Sequence, residues 1–367
     1  MRGYGHLLRH PTPPHREHMT NMRAVSLSAH GDSSVLHYGS IAIPSLVAGH
    51  VRVQVHACAL NRLDIWVRRG LPHLRLQYPH VLGSDIAGVV TEVADDVSPS
   101  IVGTEVIVNP GVSCGRCRAC LSGQDNFCAD YQIIGEHISG GYAEQLVLPA
   151  ANVLAKPAGV SMVEAASLPL TFLTAWQMLV TRAVVAPGET VLVHAAGSGV
   201  GVMATQIAKC FGATVIALAS TDEKLAQARA LGADHCILSA DGGWYREVRS
   251  LPVVGRTGVD IVFEHVGATT WNDSIKIARR GGRVVTCGAS SGWEATTDLR
   301  HVFYRQIQIL GSTMGSKGDL YRLASLVKSG DIRPIVDRVF PLEEAIQAHE
   351  YLDQRTQFGK VVLSIRE

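Results

Sequence analysis

From residue 189 onward the chain repeats one unit, a short β-branched strand, a tight turn and a helix. Strands are expected over residues 190–195, 214–219, 235–238, 260–265 and 282–287, with helical patterns at 200–211 and 222–231 between them. Strands that alternate with helices are joined by crossovers, which pack helices on both faces of one parallel sheet. The fold class is therefore α/β, with a doubly wound parallel sheet.

The first strand of the series runs into Gly197, Ser198, Gly199, Val200 and Gly201 and then into a helix. Glycines let a backbone approach a pyrophosphate, and the amides and dipole of the following helix meet its charge. The strand before, the helix after and a second strand at the right distance give this loop its meaning. That second strand ends at Ala219, where an NAD site usually has an acid for the ribose hydroxyls. Ser220, Thr221 and Lys224 follow and would suit a 2′-phosphate. NADPH is the expected cofactor, with NADH less favoured; Asp222 and Glu223 argue mildly the other way.

The first part of the chain reads differently. Residues 22 to about 150 are strand-rich, with examples at 51–56, 81–93 and 101–108. A short helix is expected over 161–167, entered through Ser161 with Glu164 closing a capping box. Pro169 then forces a kink before a second helical stretch at 171–180. At 367 residues, 47% of them hydrophobic and 18% charged, the chain can bury two cores. A net charge of +1 offers no field for nucleic acid. The longest apolar runs, 191–196 and 213–219, are too short to cross a bilayer. No apolar leader opens the chain, so the cytoplasm is the expected compartment and no membrane partner is expected. Residues 1–21, rich in His, Pro and Arg, read as a disordered extension, or as residues before a later start at Met19 or Met22.

Cys114, Cys117 and Cys120, followed by Cys128, are spaced for one tetrahedral zinc. Four protein ligands close such a site, so the metal is structural and cannot activate a substrate. Free thiols or two disulfides are the alternatives.

These motifs, in this order, resemble the medium-chain dehydrogenase/reductase superfamily, in its zinc-containing alcohol dehydrogenase-like family. The resemblance implies a GroES-like catalytic domain over 22–155 with the zinc lobe at about 110–130. A Rossmann domain over 156–300 and a return to the catalytic domain over 301–367 complete the layout. It also implies one structural zinc, a small-molecule substrate and a homodimer or homotetramer. The catalytic-zinc pattern does not carry over. The family's Cys-x-x-Asp reads Asn61-Arg-Leu-Asp64 here, its Gly-His-Glu reads Gly83-Ser84-Asp85, and residues 168–174 hold no Cys, His or Asp. His56, Cys58 and His80 are nearby candidates for a rebuilt site.

Residues 59–70, 168–176 and 194–201 resemble the quinone oxidoreductase and enone reductase branch. Segments 260–267, 282–288 and 309–315 resemble its nucleotide edges, which adds Val266, Gly288 and Ser290 to the cofactor contacts. One departure is Ser239, where that branch often has Tyr. The implied reaction is hydride transfer from NADPH to an enone, enal, enoyl thioester or quinone without catalytic zinc. Asn61 would contact substrate or nicotinamide ribose, and Asp64 would buttress the loop, with a turn residue and a helix cap as the plainer readings. Thr171 and Thr174 would contact the carboxamide or the substrate oxygen. Trp66, Leu71, His73, Trp293 and Phe303 are expected to set the size of the pocket. A zinc alcohol dehydrogenase and a non-enzymatic nucleotide binder remain as alternatives.

Overall fold

In the computed structural model of the chain, residues 21–366 are described, except His73 and Asp241. The expected extension lies outside the described residues but for Asn21, which opens the first strand, and so does His73.

The nucleotide domain carries six parallel strands in the spatial order His235–Leu238, Thr214–Ala219, Thr190–Val193, Val259–Glu264, Ala278–Thr286 and Gln308–Gly311. Val191, Leu192, Val193, Ile216 and Leu218 are fully buried, as expected of strands covered by helices on both faces. The order reverses between Thr190–Val193 and Val259–Glu264, so a crevice opens beyond their carboxyl ends. Ser198 accepts from the Gly201 amide at 3.0 Å and caps the helix Gly199–Cys210 facing that crevice.

The sixth strand, Gln308–Gly311, corrects the domain boundary placed at residue 300. It is short and mostly exposed, and its partner Arg283–Thr286 is remote in sequence, so no local periodicity marks it. Helix Lys317–Ser329 also packs on Pro169–Trp176. The chain rejoins the catalytic sheet only at Val336–Pro341.

In the catalytic domain the hub of a seven-stranded sheet is His50–Ala59. It pairs with Asp85–Val93 and Gln145–Pro149 and, antiparallel, with Lys360–Ser364. The run expected at 81–93 is broken. Gly83 turns there with φ +99°, and a Cβ on it would fall 2.4 Å from Tyr142 Cδ1. The run expected at 101–108 is a strand only over Glu105–Val108, after a 3₁₀ turn at Pro99–Ile101.

Residues 59–70 contain a helix, Arg62–Arg69, that strand-weighted reading of this half missed. Ser161 and Glu164 form the expected capping box, and Pro169 is the first residue of a fully buried helix, Pro169–Trp176. The span Met162–Arg182 has the length and apolarity to cross a bilayer, a feature the run lengths did not suggest. It is a core element, with 78% of its apolar window buried inside the protein.

Candidate active site

Between the two domains lies a cavity of about 510 Å³. Its lining includes Asn61 and Trp66 from the catalytic domain, Thr171 and Thr174, the glycine loop, and Ser220, Lys224, Val266, Gly288 and Ser290. Arg62, Lys224, Arg355 and Lys360 also line it, and among the described residues no carboxylate does. A ligand carrying several negative charges matches that lining.

Two glycines of the loop do different work. A Cβ on Gly199 would lie 2.7 Å from Lys360 Cδ and 3.1 Å from Thr171 Cγ2, so only glycine leaves the cradle open. Gly201 is buried away from the cavity; a Cβ there would meet the Ala195 carbonyl at 2.4 Å, so it serves helix–strand packing. Thr221 is likewise outside the lining. Its hydroxyl caps helix Asp222–Ala230 by accepting from the Lys224 amide at 3.3 Å, a local duty that competes with phosphate. Lys224 Nζ reaches the cavity while donating to the Arg355 carbonyl at 2.6 Å.

Asn61, expected to touch substrate, has both ends of its amide engaged. Nδ2 donates to Asp85 Oδ2 at 2.9 Å and Oδ1 accepts from Lys360 Nζ at 2.6 Å. Lys360 Nζ also donates to Asp85 Oδ2 at 2.7 Å. Asp85 Oδ1 accepts from the Leu170 amide at 2.7 Å, at the start of the buried helix. Lysine has three N–H donors, so one remains for the cavity. Strand pairing brings this lysine in, because Leu60 donates to the Val361 carbonyl and Gly359 to that of Gly197. Sequence reading noticed Asp85 only within the altered Gly-His-Glu triplet, gave it no role in the site, and missed Lys360. The only local trace was a lysine opening an apolar strand, which reads as a surface end.

Asp64 lies beneath the cavity rather than in it. Its Oδ2 accepts from the Asn61 amide at 2.6 Å and its Oδ1 from the Gly83 amide at 3.2 Å. Burial pushes its carboxyl up to about 6, against the pull of those amides and of Lys360. The buttress and the helix cap are thus one arrangement. Thr171 Oγ1 donates to the Leu168 carbonyl at 3.1 Å and Thr174 Oγ1 to that of Leu170 at 2.8 Å. With their hydrogens spent inward, both offer only acceptor lone pairs to the cavity. That suits a carboxamide NH₂ and not a developing oxyanion.

On the crevice floor Glu264 Oε1 accepts from the Val266 amide at 2.7 Å and fixes the turn that presents Val266. Burial opposes the charge on Glu264, but His194 and hydrogen bonds from Ser274, Gly267 and Val266 outweigh it and lower its pKa. Burial and Glu264 push the Cys287 thiol up to about 12, so it stays neutral. Ser239, which also lines the cavity, donates to the Ala219 carbonyl at 3.0 Å.

The Sγ atoms of Cys114, Cys117, Cys120 and Cys128 lie within 4.8 Å of one another, and all four cysteines are free. The closest hydrogen-bonded pair, Cys117 and Cys120, is 3.5 Å apart, well beyond a disulfide bond. Backbone amides of Arg116 and Cys117 hold the Cys114 thiol down to about 6. The lobe fastens one cavity wall, since Asp125 accepts from the Lys317 amide at 2.9 Å and Asn126 donates to the Met314 carbonyl at 3.2 Å. Among the described residues these four cysteines are the only set of three or more ligating side chains so grouped. His56, Cys58 and His80 do not converge; His80 Nε2 instead lies 3.2 Å from the Gly135 carbonyl oxygen.

A switch-point crevice facing a GroES-like sheet defines a two-domain oxidoreductase. Residues 47–158 match the alcohol dehydrogenase GroES-like domain and residues 199–329 the zinc-binding dehydrogenase family. The chain is 30% identical to an NAD-dependent alcohol dehydrogenase of Sulfurisphaera tokodaii, over 93% of this chain and 99% of that protein. It is 28% identical to the quinone oxidoreductase of Homo sapiens, over 93% and 97%. A solved structure described as an NAD-dependent alcohol dehydrogenase is 50% identical with a TM-score of 0.90, covering 94% of this chain and all of that one. The chain belongs to the medium-chain dehydrogenase/reductase superfamily, in its zinc-type alcohol dehydrogenase-like family.

Proposed function

We propose that the protein reduces an α,β-unsaturated carbonyl compound or a quinone with NADPH, without a catalytic zinc. The observation that carries this reading is the Asn61–Asp85–Lys360 triangle. At the positions where the family's metal ligands fall, an ammonium group is held between an amide and a carboxylate. The glycine loop, Thr171 and Thr174 would hold the dinucleotide, whose reduced nicotinamide would supply a hydride to the β-carbon of the acceptor.

Adding hydride to the β-carbon moves the double-bond electrons onto the carbonyl oxygen, and a proton from solvent completes the α-carbon. The spare Lys360 N–H is the donor aimed at that oxygen, in a site where exclusion of water strengthens the contact. Asn61 and Asp85 orient the ammonium. Ser220, Lys224 and Arg355 surround the end of Thr214–Ala219, where no acid repels a 2′-phosphate. The four cysteines would hold one zinc, closed to substrate.

A second reading, a zinc- and NAD-dependent alcohol dehydrogenase, is favoured by the names of the relatives above. One experiment separates the two. NADPH and NADH oxidation is followed against a panel of enones, enals, enoyl thioesters and quinones, and alcohol oxidation is followed alongside, with zinc counted on the same sample. The proposal expects one zinc per chain and NADPH-linked reduction of the panel. Two zincs per chain with NAD-linked alcohol oxidation would sink it.

A further inference from the structure

Among the described residues a few buried side-chain polar atoms have no hydrogen-bond partner: Arg68 Nε, Ser84 Oγ, Asn109 Nδ2, Arg283 Nε and Gln357 Oε1. Of these residues only Gln357 lines the cavity between the domains. A buried acceptor left without a donor is costly, and folded proteins keep few of them. This one faces the place where a ligand would lie.

The chain around Gln357 is pinned on both sides. Arg355 adopts the left-handed region, with φ 58°, and its carbonyl accepts from Lys224 Nζ at 2.6 Å. Its Nη2 donates to the Ser290 carbonyl at 3.2 Å. The Phe358 amide donates to Asp337 Oδ1 at 3.1 Å, and the Gly359 amide to the Gly197 carbonyl at 2.9 Å. Gly359 has φ +91°, and a Cβ on it would lie 2.4 Å from the Ile335 carbonyl oxygen, so the turn has one path. Gln357 is thereby held between Lys224, just past the end of Thr214–Ala219, and the first glycine of the loop.

The chemistry of an acceptor narrows what it can meet there. A pyrophosphate on the glycine loop carries acceptors only and cannot satisfy Oε1. A ribose hydroxyl can donate, and the adenosine ribose of a dinucleotide lies between its pyrophosphate and the end of the second strand. The usual acceptor at that strand end is an acid, but the position is Ala219 here and no carboxylate lines the cavity among the described residues. A neutral amide accepts the same hydrogen without repelling a 2′-phosphate. In NADPH the 2′ oxygen is esterified, which leaves the 3′-hydroxyl to donate.

We propose that Gln357 is a nucleotide-binding residue whose Oε1 accepts from the 3′-hydroxyl of the adenosine ribose. It takes over the duty of the missing acid and leaves the 2′ position free for phosphate. The inference rests on the nucleotide-binding part of the function proposed above and not on the identity of the compound reduced.

The test is competition of ADP and of 3′-deoxy-ADP against NADPH, read from nicotinamide fluorescence on the full-length protein. Wild type is expected to bind 3′-deoxy-ADP about fivefold more weakly than ADP, the size of one net hydrogen bond. In Gln357→Leu the two are expected to bind alike, with ADP weakened by about fivefold. Gln357→Glu can accept but not donate, which makes it a check on the direction of the bond. It should hold NADH within about threefold of wild type and weaken NADPH by at least about tenfold, since its carboxylate repels the 2′-phosphate. Equal binding of the two diphosphates by wild type would overturn the proposal. So would a difference between them that survives Gln357→Leu, or equal losses of NADH and NADPH in Gln357→Glu. Wild type that binds neither NADPH nor NADH would remove the nucleotide reading itself, and the proposal with it; a nucleotide-binding protein that reduces none of the panel would leave the proposal standing.

Discussion

At Lys360 a flexible, strongly hydrated ammonium has been stripped of most of its water and given two oxygens in return, one on Asn61 and one on Asp85. A buried pair of this kind adds little net stability, but breaking it leaves a bare charge inside the protein. Lys360→Met should therefore cost about 3–5 kcal/mol in denaturant unfolding and abolish reduction. Adding Asp85→Asn should restore most of the stability and none of the activity, because the donor is still missing. Asp64 makes a second residue-scale case. Its carboxyl is raised from 3.8 to about 6, so the folded state binds this proton more tightly than the unfolded chain does. The stability it contributes is complete below about pH 4 and is lost as pH rises through 6. Measured against Asp64→Asn, wild type should lose up to about 3 kcal/mol of relative stability between pH 4 and 7.

The strand Thr214–Ala219 and the helix Asp222–Ala230 meet at a turn with hydroxyls and a lysine and no acid at Ala219. Ala219→Asp should lower the NADPH to NADH ratio of kcat/KM by at least about tenfold, since a carboxylate there repels a phosphate and accepts from ribose hydroxyls. This stretch was readable from sequence because strand, turn and helix are each specified by neighbours. The five strands expected from residue 189 onward are found with small shifts at their ends, apart from the earlier start of Ala278–Thr286. Other elements were hidden for a physical reason. Arg62–Arg69 is a short helix closed by a buried capping aspartate in a strand-rich half, and Gln308–Gly311 is an edge strand whose character lies in its partner. The loop residues of the site were legible on the same terms, since Gly197, Ser198 and Gly199 announce themselves in line. The Asn61–Asp85–Lys360 triangle joins three distant segments, and no single window of sequence contains it.

On the scale of the whole molecule, the cysteine lobe and the cavity are mechanically joined through Asp125 and Asn126, which grip residues 314–317. Treatment with a chelator, or Cys120→Ser, should lower Tm and loosen nucleotide binding, with activity tracking the folded fraction. The nucleotide sheet ends on an open edge, Gln308–Gly311, flanked by the exposed side chains of Leu299, Phe303, Tyr304 and Ile309. An uncovered apolar edge strand is a template for pairing. We expect a homodimer joined at that edge, which Ile309→Lys should convert to monomer in sedimentation experiments.

The antiparallel pairing of Lys360–Ser364 with His50–Ala59 also has a consequence for assembly in time. Asn61 and Asp85 emerge from the ribosome long before the cation that neutralises them, and the whole nucleotide domain is made in between. Until that domain has folded and delivered the last strand, the first sheet lacks a neighbour and carries an uncompensated carboxylate where its core should close. The catalytic sheet can therefore close only once the last strand of the chain has been made.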